Sequence, residues 1–426
     1  MRDIVVISAF SCDPNIPSEP TVGWTYLRTW MKIATSSEAI EVMAIMSQSS
    51  KLATDAQILL ADPTAANYST VAIELPRVAR ILEKSQHLTR FEYLLWCFLA
   101  RRYLRKQSKS RNIILARHVT FASELLPTPI SEVTGKAFTV WGPVGSLGEA
   151  NAFLVIPRHS RWRSQFILQR VRDAISRLQS RRIARGVDLV LTTSQALADD
   201  LSKQGVETLA FPNTRLDSDL LDIINKGQEL SGCAPVHQGG GVSLNLLCVG
   251  NLVYLKRFEL AIAALLDSRL SSATLSIIGK PAQGRENYLL QIADSLGVRD
   301  RVQFLGRIPR QEVIQAMLES DVLVHPSTRE GGSAVVGEAT AVGLPVVCFA
   351  RTGAAVVLDF AGGNGIKVEA NNYSSETLIA DAIVKASALP RKPAQIWHRD
   401  RYLEMEVGLL TAARSMAKMR RDLASE

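Results

Sequence analysis

The chain has 426 residues, 47% apolar and 21% charged, too long for one ordinary core, so two globular domains are expected. Five scattered cysteines with no Cys-x-x-Cys argue against a disulfide scaffold and suit a reducing cytosol. The longest lipophilic window, residues 91–100, holds Glu92 and falls short of the ~20 residues that a spanning helix needs.

No cleavable signal peptide is read in MRDIVVISAFSCD, so a cytoplasmic location is expected, with the first half drawn to the inner face of the membrane. That last point rests on charge. Residues 1–212 carry 26 Lys/Arg against 18 Asp/Glu, whereas the remainder holds 23 of each. The excess gathers in 77–111 and in 158–185, the latter with nine Arg and one acid, Asp173. No RNA- or DNA-binding motif accompanies these arginines, so no nucleic-acid partner is expected; an anionic lipid surface or a diphosphate-bearing acceptor accounts for them.

In chain order, a strand over 4–9 is followed by a loop through Pro20 and a helix from near Val22. The loop holds Asp13, Asn15, Ser18, Glu19 and Gly23 at the carboxyl end of the strand, where open α/β sheets place their ligands. Glu19-Pro20 reads equally as a helix start with Pro in its first turn. Apolar runs at 41–46 and 70–75, with a helix between them, give βαβαβ order and a parallel sheet. After Pro76 two helices are expected, the second pairing Phe91, Leu94, Leu95, Phe98 and Leu99 with a basic tail. It reads either as a core helix with a solvated end or as a helix lying on a membrane. A strand over 112–116 delivers His118 to the same edge. A further strand, 136–141, runs into a tight turn, Gly142-Pro143-Val144-Gly145. An Arg-rich helix over 161–185, a strand over 188–193 and a last strand ending at Phe211-Pro212-Asn213 complete the first domain, 1–212.

Residues 213–241 are polar, end in Gly239-Gly240-Gly241, and read as a linker with one short helix over 218–224. The second domain, 242–394, alternates strands and helices, and the helices from about 395 to 426 are expected to pack back on the first domain. Its first strand passes through Gly250-Asn251 into a helix headed by Lys256-Arg257. Cations there oppose the macrodipole unless an anion binds. A later strand, 302–305, ends at Gly306-Arg307-Ile308-Pro309. The stretch 320–343 then gives a strand ending at His325, a loop with Glu330, Gly331 and Gly332, and a helix from Ala334 that Ser333 can cap. Its free first-turn N–H groups suit an anion. Glu330 and Glu338, with seven residues between them, can look into one opening; alternatively, one is a loop acid and the other a solvated helix acid.

This stretch resembles the Glu-x7-Glu signature of the retaining glycosyltransferases of family 4, and Ser18 to Trp24, SEPTVGW, is similar to the SEPGVGW of a subgroup, with Thr21 in place of Gly. The resemblance implies a GT-B fold, α/β, with two Rossmann-like domains facing across a cleft. It implies sugar transfer from a nucleotide-diphosphate sugar to a hydroxyl acceptor; with the basic first half, the expected acceptor is a lipid-linked saccharide in polysaccharide or glycoconjugate synthesis, and neither a cofactor nor a metal is expected. It makes His118, Glu330 and Lys256 catalytic. Gly250, Asn251, Lys256, Arg257, Arg307, Ile308, Gly332, Ser333, Ala334 and Glu338 become donor-binding, with Asn251 where the family has an Arg on the phosphates. Glu19, Thr21, Gly23, Gly142 and Gly145 fall on the acceptor side. Two alternatives stay open: a nucleotide-sugar epimerase on the same fold, and a catalytically silent subunit of a membrane assembly.

Overall fold

The computed structural model describes residues 2–425 apart from 17–18, 38, 62–66, 80–87, 146–161, 217, 232–242, 283, 329 and 370–374. Within them the first half runs β1 (Asp3–Ser8), α1 (Glu19–Thr35), β2 (Ile40–Met46), α2 (Gln48–Ala61), β3 (Tyr68–Ala72), α3 (Thr89–Gln107), β4 (Ile113–His118), β5 (Phe138–Val144), α4 (Trp162–Ala184), β6 (Leu189–Thr192), α5 (Gln195–Ser202) and β7 (Thr208–Ala210). The seven strands make one sheet in the order β3-β2-β1-β4-β5-β6-β7, every pairing parallel. Helices cover both faces of such a sheet, so its central strands are buried on both sides and read as nearly continuous apolar runs. Two cores result. One packs α3, α4 and α5 on one face, and the other packs α1 and the chain's last helix on the opposite face.

The second half runs α6 (Ser218–Ser231), β8 (Asn245–Val249), α7 (Phe258–Ala264), β9 (Thr274–Ile278), α8 (Arg285–Ser295), β10 (Val302–Gly306), α9 (Arg310–Glu319), β11 (Val322–His325), α10 (Ala334–Ala341), β12 (Val346–Phe349), α11 (Gly353–Phe360), β13 (Gly365–Val368), α12 (Ser375–Ser387) and α13 (Arg401–Ser425). Its six-stranded parallel sheet is ordered β10-β9-β8-β11-β12-β13. β4 and β11 therefore hold equivalent places, each beside the first strand of its own sheet.

Three local expectations are corrected. Glu19 and Thr21 belong to the first turn of α1 rather than to a loop, because Pro20 fits a helix start, where its missing N–H costs nothing. The turn at Gly142-Pro143 lies inside β5 as an irregularity in its pairing with β6. The segment read as a linker holds a fourteen-residue helix, α6, whose Leu220 and Ile224 are buried against α9 in a core of the second domain. The Gly239-Gly240-Gly241 run, Ser18, Arg158, Arg161 and most of the first helix expected after Pro76 lie outside the described residues.

The chain crosses between domains twice, and α13 ties the crossings together. The Tyr402 hydroxyl lies 2.7 Å from the Pro212 carbonyl and 2.6 Å from that of Thr214, while Trp397 Nε1 donates to Thr340 Oγ1 at 3.0 Å. Glu406 of α13 enters the first domain fully buried. It accepts from Arg117 Nη2 at 2.8 Å and Nε at 3.1 Å, and from Trp30 Nε1 at 2.8 Å. A buried carboxylate needs this complete a set of donors to offset its desolvation.

Candidate active site

The carboxyl ends of both sheets face a cavity of about 660 Å³. From the first domain Glu19, Arg90, Phe121 and Gly145 line it; from the second, Leu255, Gly331 and Gly332; and Asn213 borders it at the crossing.

On the second domain's side, β8 ends at Val249, and the chain turns through Gly250 and a 3₁₀ segment, Tyr254–Lys256, before α7. Gly250 has φ 148°, and a Cβ there would lie 3.0 Å from Lys256 Cε, so a glycine lets the lysine side chain fold back over the strand end. Lys256 Nζ thereby meets the Glu330 carboxylate, which His325 Nε2 also approaches at 3.1 Å. His325 ends β11 and is buried. Burial pushes the imidazole down, so it is neutral at pH 7; its Nε2–H donates to Glu330, and Nδ1 is left without a partner. Burial alone would raise the Glu330 carboxyl, but His325 and the Lys256 ammonium outweigh it and hold the acid at about 2.

Ser333 does not cap α10 as expected; its hydroxyl lies 3.2 Å from His325 Nε2, and the helix has no side-chain cap. The Val336 N–H bonds to the Ser333 carbonyl at 3.0 Å, so the turn's earlier N–H groups, with Ala334 exposed, are the ones without a side-chain cap. Glu338, one turn on, is buried and accepts from Arg310 Nη2 at 2.7 Å. The two acids are therefore held separately, one by Lys256 and the other by Arg310. Asn251 and Arg307 are exposed at the strand ends, and Ile308 is half-buried against the core. Arg257 is not brought to Lys256. It takes φ 53° as the residue before α7, and its guanidinium is buried 2.8 Å from Glu259 Oε1, next to Arg285.

On the first domain's side the expectations divide. Glu19 faces the cavity; the protein crowding around it pushes its carboxyl up, opposed by the Phe121 N–H that it accepts from. Phe121 sits at φ 56°, a conformation that bulky residues rarely adopt, and is held there by Tyr93, stacked at 5.3 Å, and Phe10, edge-on at 4.7 Å. Thr21, Gly23 and Gly142 do not line the cavity. Thr21 Oγ1 donates to the Ile16 carbonyl, and a Cβ at Gly23 or Gly142 would strike a neighbouring carbonyl at 2.3 or 2.1 Å. These three shape the backbone behind the cleft.

His118 is also withdrawn from the cleft. Tyr93 donates its hydroxyl hydrogen to the Pro127 carbonyl, so its oxygen accepts from His118 Nε2–H at 3.1 Å, and Nδ1 accepts from Ser8 Oγ–H at 3.0 Å. Burial pushes the imidazole down to about 3, and both nitrogens are spent inside the domain. The structure thus places His118 inside the domain with both ring nitrogens engaged, and not on the cavity lining. His325, Arg310, Arg90 and Phe121 were not singled out from the sequence as site residues; for His325 a usable signal was its place at a strand end five residues before Glu330.

Among the described residues no group of three His, Cys, Asp or Glu side chains could hold a metal ion. The Asp217-Ser218-Asp219 triplet at the start of α6 has its first carboxylate outside those residues.

Residues 243–398 match the family model described as Glycosyl transferases group 1. The lipopolysaccharide glucosyltransferase WaaG of Escherichia coli is 33% identical over 118 residues, 28% of this chain and 30% of that protein. The D-inositol 3-phosphate glycosyltransferase of Mycolicibacterium smegmatis is 30% identical over 151 residues, 35% of this chain and 33% of that protein. The chain thus spans about a third of the length of these two relatives. Among solved structures, the sucrose-phosphate synthase of Thermosynechococcus elongatus is matched over 100% of both chains with a TM-score of 0.52 at 16% identity. The α,α-trehalose 6-phosphate synthase of Burkholderia multivorans is matched over 99% of this chain and 100% of its own, with a TM-score of 0.52 at 13% identity. The chain has the GT-B fold, two Rossmann-like domains each built on a parallel sheet, and its second domain carries the match to the group 1 glycosyl transferases.

Proposed function

We propose that this protein is a retaining glycosyltransferase of family 4 that moves a sugar from a nucleotide-diphosphate sugar to the hydroxyl of a lipid-linked saccharide. The observation that carries this reading is the Lys256–Glu330 pair beside an uncapped helix start, with the adjacent Leu255 and Gly331 lining a cavity shared by both domains. The diphosphate is assigned to Lys256 and the N–H groups from Ser333 onward, and the nucleotide to the Glu338–Arg310 side. The C1–O bond to phosphate breaks as the acceptor oxygen bonds to C1 on the same face, and the acceptor's proton passes to the departing phosphate oxygen. Lys256 offsets the charge that develops on that oxygen, the term that usually dominates such transfers. Glu330, kept ionised, faces positive charge growing at C1.

Basic residues exposed on α3 and α4 fit the first domain to the anionic surface on which such an acceptor is displayed. Among the described residues no helix is long and apolar enough to cross a membrane. A thermal-shift screen of UDP-, GDP- and ADP-sugars tests the donor assignment. A ligand of the native state at 100 times its Kd adds about 2.7 kcal/mol, so one nucleotide class should raise the melting temperature by several degrees in the wild type and much less in Lys256→Ala. No response to any of the three, or an equal response in both proteins, contradicts the reading. An isomerised sugar nucleotide formed without acceptor points instead to an epimerase.

A further inference from the structure

Helix α3 starts at the cavity. Arg90, in its first turn, lines the cavity, and from there the helix runs along the surface with an exposed apolar stripe, Phe91 (62% exposed), Leu94 (43%) and Phe98 (55%). At 100° per residue these positions and Arg90 share one side of the helix, while Tyr93, Trp96, Cys97, Ala100 and Leu104 fill the buried side. Arg101, Arg102 and Arg105 continue the outer face, with the Arg102 guanidinium 5.9 Å from the Phe98 ring centre. The first domain's lining of the cavity includes the apolar Val119, Phe121, Leu125 and Leu126. Glu19, the carboxylate on the same wall, is taken by the Phe121 N–H, and among the described residues no carboxylate pairs with Arg90.

A guanidinium with no carboxylate partner among the described residues, where an apolar cavity meets an exposed apolar stripe, suits an anionic head followed by a hydrocarbon tail. We propose that the acceptor is an amphiphile whose phosphate is held by Arg90 and whose hydrocarbon arm leaves the cavity along Phe91, Leu94 and Phe98. Resting on the transferase reading, this names the acceptor's chemical class and the residues that read it. Lys256 serves the donor diphosphate and Arg90 the acceptor phosphate, so the two anions enter from opposite domains.

The test uses the full chain with farnesyl diphosphate, inorganic pyrophosphate and farnesol as probes, and calorimetry as the readout. Wild type should bind farnesyl diphosphate at least ~10-fold more tightly than either of the others, since neither has both features. Arg90→Ala should weaken farnesyl diphosphate at least ~10-fold, the range for a lost charge-assisted contact to phosphate. Leu94→Ser combined with Phe98→Ser should weaken it while leaving pyrophosphate unchanged, and Lys256→Ala should leave the tighter farnesyl diphosphate site intact. All the changed residues except Lys256 are exposed, so an unchanged melting temperature checks folding. Unaltered binding in Arg90→Ala, or loss of the site in Lys256→Ala, overturns the proposal. So does a stripe variant that loses affinity for phosphatidylglycerol vesicles but not for farnesyl diphosphate. Slow hydrolysis of a sugar nucleotide is measured separately in the wild type. Its absence in wild type would count against the transferase reading and leave the binding result standing.

Discussion

β4 and β11 stand at the same place in their two sheets, and each ends in a buried histidine. His118 has both ring nitrogens engaged by Ser8 and Tyr93, with Arg117 beside it locked onto Glu406. His325 shares one nitrogen with Glu330, which lies against Lys256, and its other nitrogen has no partner. Strand ends of the same topology are thus put to opposite uses: a saturated hydrogen-bond network holds a domain together, whereas an incompletely satisfied one keeps charge near a cleft. A histidine's place at a strand edge says little about its role until its partners are counted.

The largest expected effect breaks the saturated side. Glu406→Ala leaves the Arg117 guanidinium buried without its carboxylate and should lower stability by about 3–5 kcal/mol, read by denaturant unfolding. An effect below about 1 kcal/mol would mean that α13 is not anchored there. On the open side, Lys256→Ala should reduce turnover by about 10²- to 10³-fold, the range for removing one preorganised group at a developing oxyanion, with little change in melting temperature. Glu338→Gln should weaken the free nucleotide by about 1.5–3 kcal/mol, roughly 10- to 150-fold, and leave turnover at saturating donor close to wild type. Calorimetry with the nucleotide found in the screen decides this.

The smallest effect concerns His118. His118→Asn should cost about 1–3 kcal/mol of stability, because a buried hydroxyl loses its partner, while turnover changes less than about fivefold. It should also flatten the pH dependence. The folded imidazole titrates at about 3 against 6.5 in the unfolded chain, so the unfolded state binds the extra proton in between. Its contribution is complete above pH 6.5 and fades as the pH drops toward 3, by up to about 1.4 kcal/mol per unit. An Asn variant that matches the wild-type slope would show that His118 is not the group responsible.

Much of the fold was legible because both sheets are parallel and covered on both faces, so strands such as VVCF (Val346–Phe349) and IILARH (Ile113–His118) stand out as short apolar runs. α6 was underestimated because Asn225, Lys226 and Gly227 look like linker; what keeps them helical is burial of Leu220 and Ile224 against α9, a tertiary fact. The site was legible only where its partners lie within one motif. Glu330, Gly332 and Ser333 are neighbours in sequence, whereas Lys256 lies 74 residues from Glu330, and Arg117 lies 289 from Glu406. No local spacing encodes such pairs. The αL backbone of Phe121 was equally hidden, since it is imposed by aromatic rings from two separate segments, Phe10 and Tyr93 of α3, and by the Glu19 carboxylate.

As a transferase, the protein needs Glu330 to act as charge develops rather than to brace its loop. The direct measurement is donor turnover by Glu330→Gln at saturating nucleotide sugar, with free-nucleotide affinity determined on the same preparation. Turnover should be at least ~100-fold lower with affinity within about threefold of wild type, the signature of an interaction made mainly in the transition state. Unchanged turnover, or losses of turnover and affinity in equal proportion, would contradict that role.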